Sequence, residues 1–526
     1  MSKSHYLTSL LAAMAFSAAE AQTTLTVPKL VVNITIDQLR SDYMEAFMPL
    51  YGDKGFRRLL QESRVYTQAE YTISKLDRAS AVASIVTGTT PYDHGIVGQK
   101  WLDRNTLRPV YCVEDKGFQG NATFETSSPQ YLGVSTISDE LKVATDGKAI
   151  VYAIAPFRDA AVLGAGHSAD GAVWLNDETG VWCGSSYYGS LPSWANVQNQ
   201  YESLSDRLKK TVWEPSSDLV GNFNYFLSGG MKNPFKHKFA GDKSFVDFKT
   251  SGLVNEEVQA ITEACLRATT IGSDAVTDYL SLTFYAGNYQ HRPASEAPME
   301  IQDTYVRLDH VLGNILDAVD NKVGLKNTLF VITSTGYTDQ ETADLSKYRI
   351  PTGKFQIDRA SSLLNMYLMA VYGQGSYVEA CFGSEIYLNH KLIEDKQLNL
   401  VEVLERSQDF LIQMSGVKDV YTSQRLQLGA WTPGISRIRN SYNPKCSGDI
   451  LIHVAPGWRL VNESTQENKL MRESYVPFPI FFFGQNVCAE RIDTPVSVDR
   501  IAPTIAQVMR IRAPNACSVA PLSGLR

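Results

Sequence analysis

Four short apolar runs constrain this chain more than any other feature. Leu30-Val31-Val32-Asn33-Ile34-Thr35-Ile36 runs into Asp37, and Ile150-Val151-Tyr152-Ala153-Ile154 runs into the turn Pro156-Phe157-Arg158-Asp159. Tyr279-Leu280-Ser281-Leu282-Thr283-Phe284 and Thr328-Leu329-Phe330-Val331-Ile332-Thr333 break off in the same way. Runs of this length and β-branched content fit strands buried on both faces of a largely parallel sheet. Between the last two, Val306, Leu308, Val311, Leu312, Ile315, Leu316 and Val319 recur at helical spacing, which predicts a covering helix. Strand, helix and strand in repetition predict an α/β fold: a central, mostly parallel sheet flanked by helices. Its functional groups should lie beyond the C-terminal strand ends.

The 526 residues, 44% hydrophobic and 20% charged, suffice for one large core with appended parts. Two stretches interrupt the rhythm. Residues 183–260 are rich in Ser, Asn, Tyr, Trp and Phe, and residues 340–445 carry a helical pattern from Asn399 to Met414. Both are read as insertions, forming cap subdomains on a domain that spans 22–526. The formal charge of −7 is spread along the chain without a basic stripe, which argues against nucleic acid as a partner. Residues 1–21 read as a secretory signal, with Lys3 before the apolar run Leu7 to Ala19 and Ala19-Glu20-Ala21 as cleavage site. Export is therefore expected, to the periplasm or in association with the cell envelope. No later segment approaches the roughly 20 apolar residues of a membrane span. The seven cysteines contain no C-x-x-C; an oxidising compartment leaves room for one to three disulfides, and the odd count leaves at least one thiol unpaired within the chain.

Lys75 to Gly98 carries the functional question. Its second half, Ser84-Ile85-Val86-Thr87-Gly88 through Tyr92-Asp93-His94-Gly95, resembles the turn after the nucleophile helix in the alkaline phosphatase superfamily. Leu30 to Tyr43, Ser84 to Asp103, Val110 to Asp115, Ala165 to Trp174, Asp303 to Asp309, Tyr442 to Trp458, Val476 to Gly484 and Asp499 to Ala506 extend the likeness in the same order. The branch it resembles is that of the type I phosphodiesterases and nucleotide pyrophosphatases, above all its periplasmic phosphate-irrepressible alkaline phosphatases. The resemblance implies an alkaline-phosphatase-like fold. It also implies two zinc ions that polarise the phosphate, ionise a Thr or Ser nucleophile and stabilise the leaving oxygen.

Carried over position by position, most of that machinery is replaced. The first-strand ligand is kept as Asp37. The nucleophile position falls on Arg78, which has no acceptor and cannot attack phosphorus. The Asp-x-x-x-His ligands fall on Phe284 and Asn288, the Asp-His pair on Ser334 and Thr335, and the late His on Tyr475. The phosphate-contacting Asn corresponds to Gln99, and the Lys-x-Arg clamp to Phe157 and Asp159 with Arg158 between. A single carboxylate cannot hold two dications against water, so no metal cofactor is expected.

Other residues offer little replacement. His94 is read as structural, and His291 is the one imidazole near enough to Asn288 to stand in for a lost ligand. His167, His237, His310, His390 and His453 show no metal spacing. Ser80 and Ser84 lie near the old nucleophile position, with no histidine expected beside them to act as a base. Asp37, Asp77, Arg78, Arg158 and Asp159 are expected to form an ion-pair network filling the vacated metal space. The leading functional expectation is an inactive pseudophosphatase that binds a ligand, a phosphoester or a glycan, or an envelope protein. The alternatives are an active phosphomonoesterase or phosphodiesterase with a rearranged metal site, and a structural component of an envelope assembly.

Overall fold

The structure is a computed structural model and is described over residues 26–221, 234–339, 349–429, 433–472 and 476–525. Within them an eleven-stranded sheet organises the molecule. Its strands are β1 (Leu30–Asp37), β2 (Arg64–Glu70), β3 (Gly120–Asn121), β4 (Val151–Ala155), β5 (Gly171–Leu175), β6 (Trp182–Ser185), β7 (Asp278–Tyr285), β8 (Thr328–Ser334), β9 (Phe478–Gly484), β10 (Glu490–Ile492) and β11 (Val496–Ser497). The spatial order is β10-β2-β9-β8-β1-β7-β4-β5-β6-β3, with β11 also beside β2. The five central strands, β8 to β5, are parallel, so their C-terminal ends share one edge. Antiparallel pairing begins on either side, at β9 and β6.

Alternation along the central strands assigns each side chain to a face. Leu30, Val32, Ile34 and Ile36 of β1, Leu280, Leu282 and Phe284 of β7, and Phe330 and Ile332 of β8 belong to the largest apolar cluster. There they pack with α3 (Leu253–Ala268) and α4 (Pro298–Lys322), whose buried stripes supply Val258, Ile261, Leu308, Leu312, Ile315 and Val319. Val31, Tyr279, Leu329 and Val331 face the other way, toward α1 (Arg78–Thr87) and α5 (Ile501–Met509). A third cluster joins α1 to α2 (Arg158–Ala165), the helix that follows β4.

α1 is closed at both ends by local chemistry. Asp77 accepts from the Ser80 N–H while the Ser80 hydroxyl accepts from the Asp77 N–H, a reciprocal cap. Gly88 ends the helix at φ +65, where a Cβ would meet Cys517 Sγ at 2.9 Å and Asp499 O at 3.0 Å, so only glycine fits.

The two interrupting stretches differ in how they pack. Within 183–260, Trp194, Trp213, Phe239 and Phe248 are buried in the largest cluster of the main body. Downstream, the strands Val378–Phe382, Glu385–Leu388, Ile450–Val454 and Val417–Thr422 form a separate four-stranded antiparallel sheet. It has its own core with the helices Ile357–Tyr372 and Leu400–Leu411. No helix among the described residues is long and apolar enough to cross a membrane. All seven cysteines are free; Cys112, Cys183 and Cys265 are buried among apolar groups.

Candidate functional site

Three elements deliver the central residues. Asp37 ends β1 on the face that meets α1, because it shares the parity of Val31 rather than that of Ile36. Gln38 then takes a left-handed conformation, φ +64, and turns the chain off the sheet edge. Arg78 is the first residue of α1, and Asp159 lies in the first turn of α2, just past the C-terminal end of β4.

Arg78 joins the other two. Its Nη1 donates to Asp37 Oδ2 at 3.2 Å, and its Nε donates to both Asp159 oxygens at 3.0 and 3.1 Å. The guanidinium lies 3.7 Å from the centre of the Phe157 ring, a cation–π contact that closes its open face. Gln99 Nε2 donates to Asp159 Oδ2 at 2.8 Å. On the other side, Thr335 Oγ1 donates to Asp37 Oδ1 at 2.9 Å while accepting from the Gln38 N–H, and the Tyr337 hydroxyl donates to Asp37 Oδ2 at 3.2 Å. Both carboxylates are fully buried.

One guanidinium cannot neutralise two carboxylates, and the electrostatics divide accordingly. Burial works against ionisation of Asp159, but the Arg78 charge and the Gln99 amide outweigh it and hold its carboxyl below the ordinary range. At Asp37 burial wins: its pKa is raised, with Arg78, Thr335 and Tyr337 offsetting only part of the desolvation. Arg78 itself is held protonated by the two acids against its own burial.

The remaining expected positions are not drawn into this cluster. Phe284 pairs with Ile36 in the sheet and is buried with it in the largest apolar cluster, on the opposite face from Asp37. Asn288 spends its side-chain amide on Arg292 O at 2.7 Å. Ser334 donates to Leu39 O at 2.8 Å and accepts from the Gly336 N–H, while Thr335 alone of that pair reaches Asp37. Tyr475 lies outside the described residues. The expected five-residue network is narrower than foreseen. Asp77 is used up by the helix cap and the Gln99 N–H, and Arg158 turns away to Glu125 and the Tyr111 ring.

Several residues had not been foreseen at all. Tyr337 bonds Asp37, and Asp339 accepts from the Asn288 N–H at 3.1 Å and bonds His291 Nδ1 at 2.9 Å. Gln38 Oε1 accepts from the Asp339 N–H, which ties that carboxylate to the same strand end. The Ser-Thr-Gly that precedes Tyr337 marks this loop in the sequence, but no residue type in it points to Asp37. A histidine does stand beside Ser84, but not as a base: His94 Nε2 lies 3.2 Å from Ser84 Oγ. His94 Nδ1 accepts from the Ile96 N–H, so Nε2 carries the proton and donates, and the Ser84 hydroxyl donates to Ser80 O. A base would need the other tautomer.

Beside the cluster opens a cavity of about 370 Å³, with Arg78 and Phe157 in its wall. Two divalent cations do not fit the residues present. Among the described residues no three His, Cys, Asp or Glu side chains come together to hold a metal ion. Asp37 and Asp159, the two acids of the cluster, already share a guanidinium bonded to both.

The sequence profile described as "Type I phosphodiesterase / nucleotide pyrophosphatase" matches residues 31–475. The chain is 27% identical to the alkaline phosphatase PafA of Elizabethkingia meningoseptica over 94% of each chain. It is 28% identical to the alkaline phosphatase PhoV of Synechococcus elongatus over 94% of this chain and 92% of the relative. The crystal structure of wild-type PafA superposes with a TM-score of 0.81 at 25% identity, covering 96% of this chain and all of the other. With that profile spanning most of its length on an alkaline-phosphatase-like sheet, the chain belongs to the type I phosphodiesterase/nucleotide pyrophosphatase family of the alkaline phosphatase superfamily.

Proposed function

We propose that this family member is a pseudophosphatase: an exported protein that keeps the family's cleft for binding a ligand and has lost hydrolysis. The observation that carries the reading is the position of Arg78, bonded to Asp37 on one side and Asp159 on the other. By the register of the Ser84 to Gly88 turn, this is where the family's nucleophile would stand. A guanidinium offers no lone pair for attack and does not deprotonate in proteins. Its charge also takes the place of the cations that would polarise a phosphate, so neither half of the family's chemistry has a group to perform it. Phe157, Gln99 and Asp159 then act as structural partners of the arginine rather than as phosphate contacts. Export rests on the signal-like residues 1–21.

The named relatives are alkaline phosphatases, which keeps a second reading in view: hydrolysis with a rearranged metal site around Asp37. The Asp339–His291 pair, tied to β1 through Gln38, is what favours it. Turnover separates the two. Purified protein with added zinc is expected to hydrolyse p-nitrophenyl phosphate and bis(p-nitrophenyl) phosphate no faster than buffer, and no faster than its Arg78→Ala variant. Zinc-dependent turnover by the unsubstituted chain would refute the proposal and favour the second reading.

A further inference from the structure

The cavity beside Arg78 has a lining that selects among ligand chemistries. Arg158, the first residue of α2, lays its guanidinium 4.3 Å from the centre of the Tyr111 ring. It is mostly buried, yet it makes no hydrogen bond among the described residues; its nearest acid, Glu125 Oε1, is 3.6 Å away. Lys100 and the Glu114 carboxylate line the same space, and neither makes a side-chain hydrogen bond or ion pair among the described residues. Glu125 Oε2 accepts from Trp174 Nε1 at 3.0 Å, and Lys249 Nζ holds Asp177 Oδ1 at 2.6 Å. The walls thus combine the half-buried rings of Tyr111 and Phe157, each with a guanidinium over one face, with four cations, Arg78, Lys100, Arg158 and Lys249, and three acceptor-only carboxylates.

Each group asks something of a ligand. Glu114, Glu125 and Asp177 can only accept, so they need hydroxyl or N–H donors. Arg158 and Lys100 can only donate, so they need an acceptor, best a charged one. Tyr111 and Phe157, both half-buried, add apolar wall. The lining sets four cations, Arg78, Lys100, Arg158 and Lys249, against three carboxylates, Glu114, Glu125 and Asp177, so one negative charge balances it where a phosphate dianion brings one too many. An uncharged polyol would leave that excess positive charge unanswered.

We infer that this cavity binds a sugar bearing a single carboxylate, a uronic-acid type of ligand. The carboxylate meets Arg158 and Lys100, and hydroxyls donate to Glu114 and Glu125. The volume falls at the lower end of the usual range for small-molecule sites, of order 300–1,000 Å³, which suits a mono- or disaccharide. This assignment rests on the non-hydrolytic reading of the site and names its ligand class.

Titration calorimetry on the full chain tests it with four probes: a glucuronate-terminated disaccharide, the same disaccharide ending in glucose, glucose 1-phosphate and glutamate. Aryl phosphate hydrolysis is followed in the same preparation. The glucuronate disaccharide is expected to bind at least tenfold more tightly than the other three. Lys100→Ala, an exposed position whose loss does not threaten the fold, and Arg158→Ala should each weaken it by tenfold or more, and Glu114→Gln should weaken it less. Thermal denaturation checks that each variant is folded. Preferential binding of glucose 1-phosphate or glutamate, no binding of the glucuronate probe, or binding unchanged in Lys100→Ala and Arg158→Ala would each overturn the assignment. All three results leave the pseudophosphatase reading standing, whereas zinc-dependent hydrolysis in that preparation would overturn the reading itself.

Discussion

The first position of a helix faces free backbone N–H groups and suits an anion; a cation there is disfavoured by about 0.3–1 kcal/mol. Arg78 occupies such a position because two buried carboxylates meet it, and the three residues stand or fall together. Arg78→Met should leave both acids without a counter-charge and cost about 3–5 kcal/mol in urea denaturation. Replacing Asp37 and Asp159 by Asn in the same chain should recover much of that loss, while an Arg78→Met variant as stable as the parent would show the bridge to be unimportant. His94 makes a second prediction at this scale. Burial pushes its pKa down to about 3 from an ordinary 6.5. The unfolded chain therefore binds a proton that the folded one refuses between those values, and stability falls as the pH drops from about 6.5 to about 3, with no further contribution below. Comparing denaturation across that window, the slope should be shallower in His94→Gln by up to about 1.4 kcal/mol per pH unit. Equal slopes would mean the imidazole is not held neutral. Of the cluster itself, Asp37 and Asp159 were legible in the sequence as residues just past apolar strand runs, and Arg78 by counting back from the Ser84 to Gly88 turn that follows it. Tyr337 and Asp339 were not, since their roles depend on how a loop folds back over a neighbouring strand end.

At the scale of elements, the alternation that splits β1, β7 and β8 between two cores also decides which strand-end residues can meet. Asp37 turns toward α1, and Phe284, one register step away beside Ile36, turns from it. The strand runs and the α4 periodicity were readable because burial on both faces leaves unbroken β-branched sequence and a covering helix leaves a 3.6-residue stripe. The stretch 183–260 was harder to read, because Trp194, Trp213, Phe239 and Phe248 reach into the main core from a polar background that looks like surface. α1 depends on its end as well as its start. Gly88→Ala would place a methyl group at φ +65 against Asp499 O and Cys517 Sγ. The variant should lose more than about 1 kcal/mol in chemical denaturation, and a loss indistinguishable from zero would show that the turn relaxes freely.

Across the whole molecule, the main body and the part with its own four-stranded sheet are tied by buried or half-buried ion pairs. Arg104 of the main body holds Asp449 in a bidentate bridge, and Lys75 pairs with Glu385 three residues before Arg78. The segment that delivers Arg78 is thus anchored from both sides, which fits a site built to stay in one arrangement. That arrangement stands on a sheet shared with the alkaline phosphatase PafA, and the proposed function rests on an arginine balancing the charge there. Zinc titration calorimetry on the purified full chain, beginning from chelator-treated protein, tests this most directly. No saturable binding at micromolar zinc is expected, and no rise in melting temperature with it; tight uptake of about two zinc ions per chain, with accompanying stabilisation, would contradict it.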